Sequence, residues 1–305
     1  MRLTRVYVEE PLAAGKSCVI GGSAANHIAR VLRLREGDAL TLFDGRGGEY
    51  GARIAAFRKD AVLAEVQEHR DVERESALDL TLVQGISRGE RMDWVMQKAT
   101  ELGVRRIVPV LTERSVVKLD DRHGEKKLQH WRGIVIAACE QCGRNRVPEV
   151  TAPMTFHEAL SGATAPLLLG QHPNQASAQH RGAADIGAAS AARADRQPVG
   201  QGGDTQTSGP TDIAGSGDQK AVEEAGSANV TRLLLSPQGS LRLRDLPRPT
   251  RVALLIGPEG GLAEAEQDAA VQAGFIPVQL GPRILRTETA AIAALAALQH
   301  DFGDL

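Results

Sequence analysis

The sequence predicts an α/β protein in which a small β-rich domain precedes a larger domain of alternating strands and helices. Three observations carry this: a series of short strand-like runs before residue 67, a change near Leu78 to strand–helix alternation, and two glycine-proline loops that close strands near the C-terminus.

Residues 5–8, 17–20, 39–43, 49–57 and 61–66 alternate apolar and polar positions between Gly, Asp and Lys turns, with one helical period over 24–34. The pattern suits a small β-barrel. Before Glu36 the chain carries Arg2, Arg5, Lys16, Arg30, Arg33 and Arg35 against only Glu9 and Glu10, a balance that fits a surface tracking phosphates. Charge alone reads equally well as a solvated face.

From Leu78 the periodicity gives a strand over 78–83, a helix over 91–102 closed by Gly103, and a strand over 107–111, which make one βαβ unit. A further helix over 129–142 sets Trp131, Ile134, Val135 and Ala138 on one stripe and ends at Gly143. The next strand is either 166–169 or 233–235. Between these runs, residues 171–230 contain no Leu and no aromatic residue and hold no period, so they read as a disordered insertion. That segment has seven acidic against four basic residues, so of the net charge of -2 the remainder of the chain holds about +1.

The C-terminal stretch reads as strand 253–256, loop, helix 263–273, strand 276–280, loop, and an alanine-rich helix to the end. Gly257, Gly260 and Gly261 remove side chains where a ligand would approach the backbone, at the strand C-termini where open α/β sheets hold their ligands. A small-molecule site is expected there.

With 305 residues, 42% hydrophobic and 24% charged, the chain can bury a full core and suits two domains. No apolar run reaches membrane-spanning length and MRLTRVYVEE has no apolar stretch between its charges, so the protein is expected to be cytoplasmic and off the membrane. Cys18, Cys139 and Cys142 give no disulfide framework; Cys139 and Cys142 lack a second pair at ligand spacing, so no metal is expected. GPEGG lacks the third glycine and the distal acidic residue of a dinucleotide fingerprint. His27 and His123 suit structural or solvent roles, and Met92, Trp94 and Met96 suit helix packing.

Taken together, HIARVLRLREGD, LFDGRGGEY, SRGERMDWVMQKATELGV, TERSV, EQCGR, LLIGPEGG and LGPRILRTETA make the chain similar to the RsmE family, 16S rRNA (uracil-N3)-methyltransferases of the SPOUT superfamily. The likeness covers nearly the whole chain apart from the insertion, and the spacing of the last two motifs is its most specific part. It implies a PUA-like β-barrel that binds RNA over residues 1–72 and a SPOUT domain with a deep trefoil knot over 73–305. It also implies a homodimer acting on 16S rRNA in the small ribosomal subunit. By the same resemblance, S-adenosylmethionine would be held by Leu235, Gly257, Pro258, Glu259, Gly260, Gly261, Leu280, Gly281, Ile284, Leu285, Arg286, Thr287, Thr289 and Ala290. RNA would be gripped by Arg2, Arg5, Arg30, Arg33, Arg114 and Arg144.

Uracil N3 is protonated at neutral pH and is a poor nucleophile, so its methylation asks for a base and for a cation near the flanking carbonyl oxygens. Arg286 is the expected cation and Glu140, in EQCGR, the expected base. A SPOUT ribose 2′-O-methyltransferase and a non-catalytic RNA-binding factor are the other readings, distinguished by where methyl appears and by whether S-adenosylmethionine binds.

Overall fold

The computed structural model describes residues 4–115, 121–161 and 230–305. The alternative strand at 166–169, and all of the 171–230 insertion except Val230, lie outside the described residues.

The N-terminal part is one five-stranded sheet in the order β1-β3-β4-β5-β2. Its strands are β1 (Thr4–Tyr7), β2 (Ser17–Gly21), β3 (Ala39–Phe43), β4 (Glu49–Phe57) and β5 (Ala61–Arg70). Val6, Ile20, Leu40, Leu42, Ile54, Val62 and Ala64 form a core of their own, and β3 is buried at every position from Leu40 to Phe43. The expected barrel is open, because the edge strands β1 and β2 do not pair with each other among the described residues. Instead the backbone N–H of Tyr7 in β1 donates to a carboxylate oxygen of Glu140, 3.0 Å away. The helix expected over 24–34 is two elements: α1 (Gly22–Asn26) and a π-helical turn (His27–Val31). Leu32 donates to the carbonyl of His27, five residues back, and Arg33 follows in the left-handed region at φ 53°, which a continuing helix cannot accommodate.

The larger sheet has eight strands, in the order β11-β13-β10-β12-β6-β7-β8 with β9 also on β7, and every pair is parallel. In chain order these are β6 (Asp79–Gly85), β7 (Arg106–Leu111), β8 (Glu149–Val150), β9 (Met154–Thr155), β10 (Thr231–Leu235), β11 (Leu241–Arg242), β12 (Arg251–Ile256) and β13 (Ile276–Gln279). The central β12 is buried on both faces from Val252 to Ile256, so it reads as a continuous apolar run rather than an alternating one. On one face, α2 (Glu90–Glu101), α3 (Asp121–Cys142) and α6 (Thr287–Phe302) pack Met92, Met96, Trp131, Val135, Leu295 and Leu298 against Leu80, Leu82 and Leu254. On the other, α4 (Phe156–Leu160) and α5 (Glu264–Gln272) bring Phe156 and Ala270 onto Val83, Val108 and Leu255. Each fully buried Leu or Val in these layers contributes about 1.5–3 kcal/mol relative to exposure.

Strand β10 is the run at 233–235, so on the described residues that alternative supplies the inner strand. Helix α3 starts eight residues before the expected position; its first turns are polar and exposed, and only from Leu128 does the apolar stripe begin. Cys139 lies in the core with its thiol donating to the carbonyl of Arg146, and burial pushes its pKa up to about 12. A buried thiol of that kind is an inert packing group.

Candidate functional site

Beyond the C-terminal ends of β10, β12 and β13 the chain forms a cavity of about 490 Å³. Three loops wall it: the turn at Ser236, Pro237 and Gln238, the run from Gly257 to Leu262, and the run from Leu280 to Arg286, with the first turn of α6 closing the fourth side. Glycine is required where these loops meet. A Cβ on Gly85, at the end of β6, would sit 2.5 Å from the backbone nitrogen of Pro258. One on Gly257 would come 3.0 Å from the nitrogen of Leu262, a contact tight enough that the backbone of the returning loop would have to give way. Gly261 and Gly281 turn the two loops at φ 68° and 114°, where only glycine is unstrained.

A polar frame fixes the loops to the sheet. The Thr287 hydroxyl donates to the carbonyl of Gly257 at 2.7 Å and accepts from Nε2 of the fully buried Gln84 at 3.1 Å. Glu259 accepts from the backbone N–H of Arg88 at 2.9 Å and from the guanidinium of Arg91 at 2.8 Å. Burial works to raise the pKa of Glu259, but these donors outweigh it and hold the carboxyl below its usual range. Arg91 also faces Glu288, whose Oε1 is 3.9 Å from its Nε. The second oxygen of Glu288 is buried without a hydrogen-bond partner among the described residues, as is Oε1 of Gln84.

The structure brings the sequence-predicted residues together closely. Leu235, Gly257, Pro258, Glu259, Gly260, Gly261, Leu280, Gly281, Ile284, Leu285, Arg286, Thr287 and Ala290 all line the cavity; Thr289, exposed on α6, does not. Arg286 is exposed at the N-cap of α6, and its guanidinium makes no hydrogen bond or ion pair among the described residues. Ile284 is 85% exposed at the same rim, an apolar side chain with nothing packed over it. Arg91 was not foreseen, and Glu288 and the turn after β10 were not singled out by residue. Glu288 sits between two expected contacts, Thr287 and Thr289, and its place in the first helical turn beside Arg91 was the available signal.

Glu140 is not brought to the cavity. It lies in the last turn of α3, tied to Tyr7 of β1, and burial pushes its pKa up despite the opposing Tyr7 N–H. The expected base is thus not among the residues that the described fold gathers at the cavity, and its carboxylate is engaged by the N-terminal sheet. Two arginines expected at RNA are likewise structural. Arg5 is buried, pairing with Glu49 at 2.6 Å and donating to Asn145 Oδ1 at 2.6 Å, with its guanidinium 5.0 Å from the Phe43 ring centre. Arg144, 4% exposed, pairs with Glu75 and donates to the carbonyls of Thr100 and Val104. Four of the five N–H donors of Arg144 are engaged in these contacts and the group is buried, so it is not presented to a phosphate. Arg30 and Arg33 are exposed. Arg114 is exposed too, but it lines the cavity and donates to the carbonyl of Gly260 at 3.3 Å. Arg2 lies outside the described residues.

The walls suit a nucleoside joined to a cationic amino acid. Leu235, Leu280, Ile284 and Leu285 offer apolar surface for a flat ring, the glycines bare their backbone donors and acceptors, and Glu259 and Glu288 bring negative charge to the lining.

Comparison with known proteins agrees with this geometry. Residues 74–192 and 216–299 match the family model of the RNA methyltransferase domain, and residues 20–67 that of the RNA methyltransferase PUA domain. The ribosomal RNA small subunit methyltransferase E of Bacillus subtilis (strain 168) is 29% identical, over 98% of this chain and 94% of its own. The same-named enzyme of Neisseria gonorrhoeae, solved bound to S-adenosyl methionine, is 33% identical over 100% of both chains with a TM-score of 0.73. A Legionella pneumophila structure in complex with bound SAM is 34% identical over 100% of both, at a TM-score of 0.75.

Proposed function

The chain belongs to the ribosomal RNA small subunit methyltransferase E family, and on that premise we propose that it methylates N3 of a specific uridine in the 16S rRNA of the small ribosomal subunit, using S-adenosylmethionine. The observation that carries the reading is the cavity itself: glycine loops at the C-terminal ends of three parallel strands, apolar walls, and at the rim the guanidinium of Arg286, unpaired among the described residues.

When bound, S-adenosylmethionine supplies an electrophilic methyl group on a sulfonium. The loops of Gly257 to Gly261 and Leu280 to Leu285, with Thr287 and Ala290, line the cavity and would hold it. The protein's remaining task is to make uracil N3 nucleophilic. Arg286 does so by stabilising the negative charge that develops on the carbonyl oxygens flanking N3 as its proton leaves. Ile284 offers the extruded base an apolar surface beside that cation.

The reading extends to the whole molecule. Residues 1–72 form the RNA-binding PUA-like domain, with Arg30 and Arg33 as phosphate contacts, and 73–305 the SPOUT domain. Strand β13 lies on the far side of β10 from β12, and the chain then returns to pack α6 against α2 and β12; this crossing supports a deep trefoil knot. Helix α6 is apolar from Ala290 to Leu298 with Ile292 and Ala293 only half-buried, and Trp94 on the neighbouring α2 is 58% exposed; both features favour a homodimer packed over this face. No described helix is long and apolar enough to cross a membrane. A cytoplasmic enzyme meets its ribosomal substrate directly.

The test is single-turnover methylation of small subunits at saturating S-adenosylmethionine. Arg286→Ala should slow the step by about 10²-fold with little change in cofactor affinity. An unchanged rate would remove Arg286 from the chemistry.

A further inference from the structure

The turn after β7, from Thr112 to Ser115, is seated on the Gly257 to Leu262 loop by contacts from two directions. Glu266, in the first turn of α5, uses both carboxylate oxygens: Oε2 accepts from the backbone N–H of Ala263 at 2.9 Å, and Oε1 accepts from the backbone N–H of Glu113 at 2.8 Å. From the other direction Gly260 leaves room for the next residue of the turn, since a Cβ on it would lie 3.0 Å from Cβ of Arg114 and 3.3 Å from its carbonyl oxygen. Ser115 closes the turn on itself, its hydroxyl accepting from the N–H of Thr112 at 3.1 Å.

Helix capping explains the first Glu266 bond and not the second. An acidic side chain at the third position of a helix commonly reaches back to the N-cap N–H, as Oε2 does here. The bond from Oε1 spans 153 positions of sequence to a backbone group outside the helix, and what it fixes in place is the neighbour of Glu113. That neighbour, Arg114, is exposed and lines the cavity. Among the described residues its guanidinium makes one hydrogen bond, to the Gly260 carbonyl at 3.3 Å, which engages one of five N–H donors and leaves the charge unmatched.

We propose that Glu266 is a positioning residue for RNA: by tying the Glu113 N–H to the start of α5 it holds Arg114 at the rim of the cavity, where the guanidinium takes a backbone phosphate beside the target nucleotide. The proposal rests on the reading of the cavity as the place where methyl passes to RNA. A phosphate suits the planar fork of an arginine, and a base that leaves its stack to enter the cavity brings its own phosphate to the rim. Glu266 does not line the cavity, so it acts through Arg114 rather than on a ligand.

A double-mutant cycle tests this, read as binding of the full-length protein to small ribosomal subunits at several salt concentrations. Arg114→Ala should weaken binding by about 5- to 20-fold and lower the salt slope by about 1. Glu266→Gln, with one acceptor oxygen in place of two, should weaken it by about 3- to 10-fold. In the Arg114→Ala background it should weaken binding no further, and its affinity for S-adenosylmethionine by calorimetric titration should stay near that of the wild type. Glu264→Gln removes the same charge from an exposed position in the same helical turn and should leave subunit binding unchanged. Equal losses from Glu266→Gln with and without Arg114 would reduce Glu266 to a helix cap, and no loss from Arg114→Ala would remove the phosphate contact; either overturns the proposal. Glu266→Asp, which keeps the charge but shortens its reach by one methylene, serves if the glutamine variant is poorly folded and should show the same dependence on Arg114. A wild-type protein that binds neither small subunits nor S-adenosylmethionine would overturn the methyltransferase reading itself, whereas wild-type binding with additive losses overturns only the role of Glu266.

Discussion

The hydroxyl of Thr287 donates to the carbonyl of Gly257 across 2.7 Å and thereby ties the start of the last helix to the loop that ends β12. These residues are thirty positions apart in sequence, yet they form the seam of the cavity. Gln84, buried at the end of β6, donates to the same hydroxyl, so the seam is also fixed to the sheet. Thr287→Val keeps the shape and removes the bond. It should destabilise the fold by about 1–3 kcal/mol and weaken S-adenosylmethionine binding, both measurable by thermal unfolding with and without cofactor.

Gly85 tests the packing beneath that seam. Its missing Cβ leaves room for Pro258, and Gly85→Ala places a carbon 2.5 Å from the proline nitrogen, where backbone must move. The expected cost is about 1–3 kcal/mol. A shift of the GPEGG loop should appear as lost cofactor affinity, whereas Gly124→Ala, in open space on α3, should leave affinity untouched.

The buried arginines separate stability from RNA binding. Arg144→Ala leaves the Glu75 carboxylate uncompensated in the interior and should cost about 3–5 kcal/mol, read by denaturant unfolding. Arg30→Ala and Arg33→Ala should leave stability within about 0.5 kcal/mol. Each should lower the slope of log affinity for ribosomal RNA against log salt by about 1. An unchanged slope would take that arginine off the RNA.

Glu140 predicts a pH dependence. Its folded pKa is raised above the ordinary 4.5, so the folded state binds a proton more readily than the unfolded chain does. Stability from this group is therefore present below the ordinary value and is lost as pH rises through the folded one. Glu140→Gln can keep the bond from Tyr7 and removes the titration. The variant should gain stability relative to the wild type as pH rises above the ordinary carboxylate range, as followed by unfolding midpoints; a constant difference would show that the carboxylate does not titrate there.

Much of the cavity could be read from the sequence because its parts are local. GPEGG and LGPRILRTETA each contain their own turn glycines, and the apolar runs before them point each loop to a strand C-terminus. What sequence could not supply was the set of long-range partners. Arg5 and Arg144 read as surface cations because their neutralising groups, Glu49 and Glu75, come from distant segments. Glu140 read as a catalytic carboxylate for the same reason: its partner, the Tyr7 N–H, lies 133 residues away. Likewise, a strand count suggests a barrel, but closure depends on which edges meet, and here the edge of β1 meets α3. Glu288 was hidden by its neighbours, since nothing in RTETA tells which side chain turns inward.

Incubating the protein with small ribosomal subunits and labelled S-adenosylmethionine, then mapping the product by nucleoside mass spectrometry, tests the central claim most directly. The account predicts label at one position of the 16S rRNA, in a nucleoside that migrates as N3-methyluridine. Label on a ribose 2′-oxygen, or no transfer by a protein that binds S-adenosylmethionine, would contradict it.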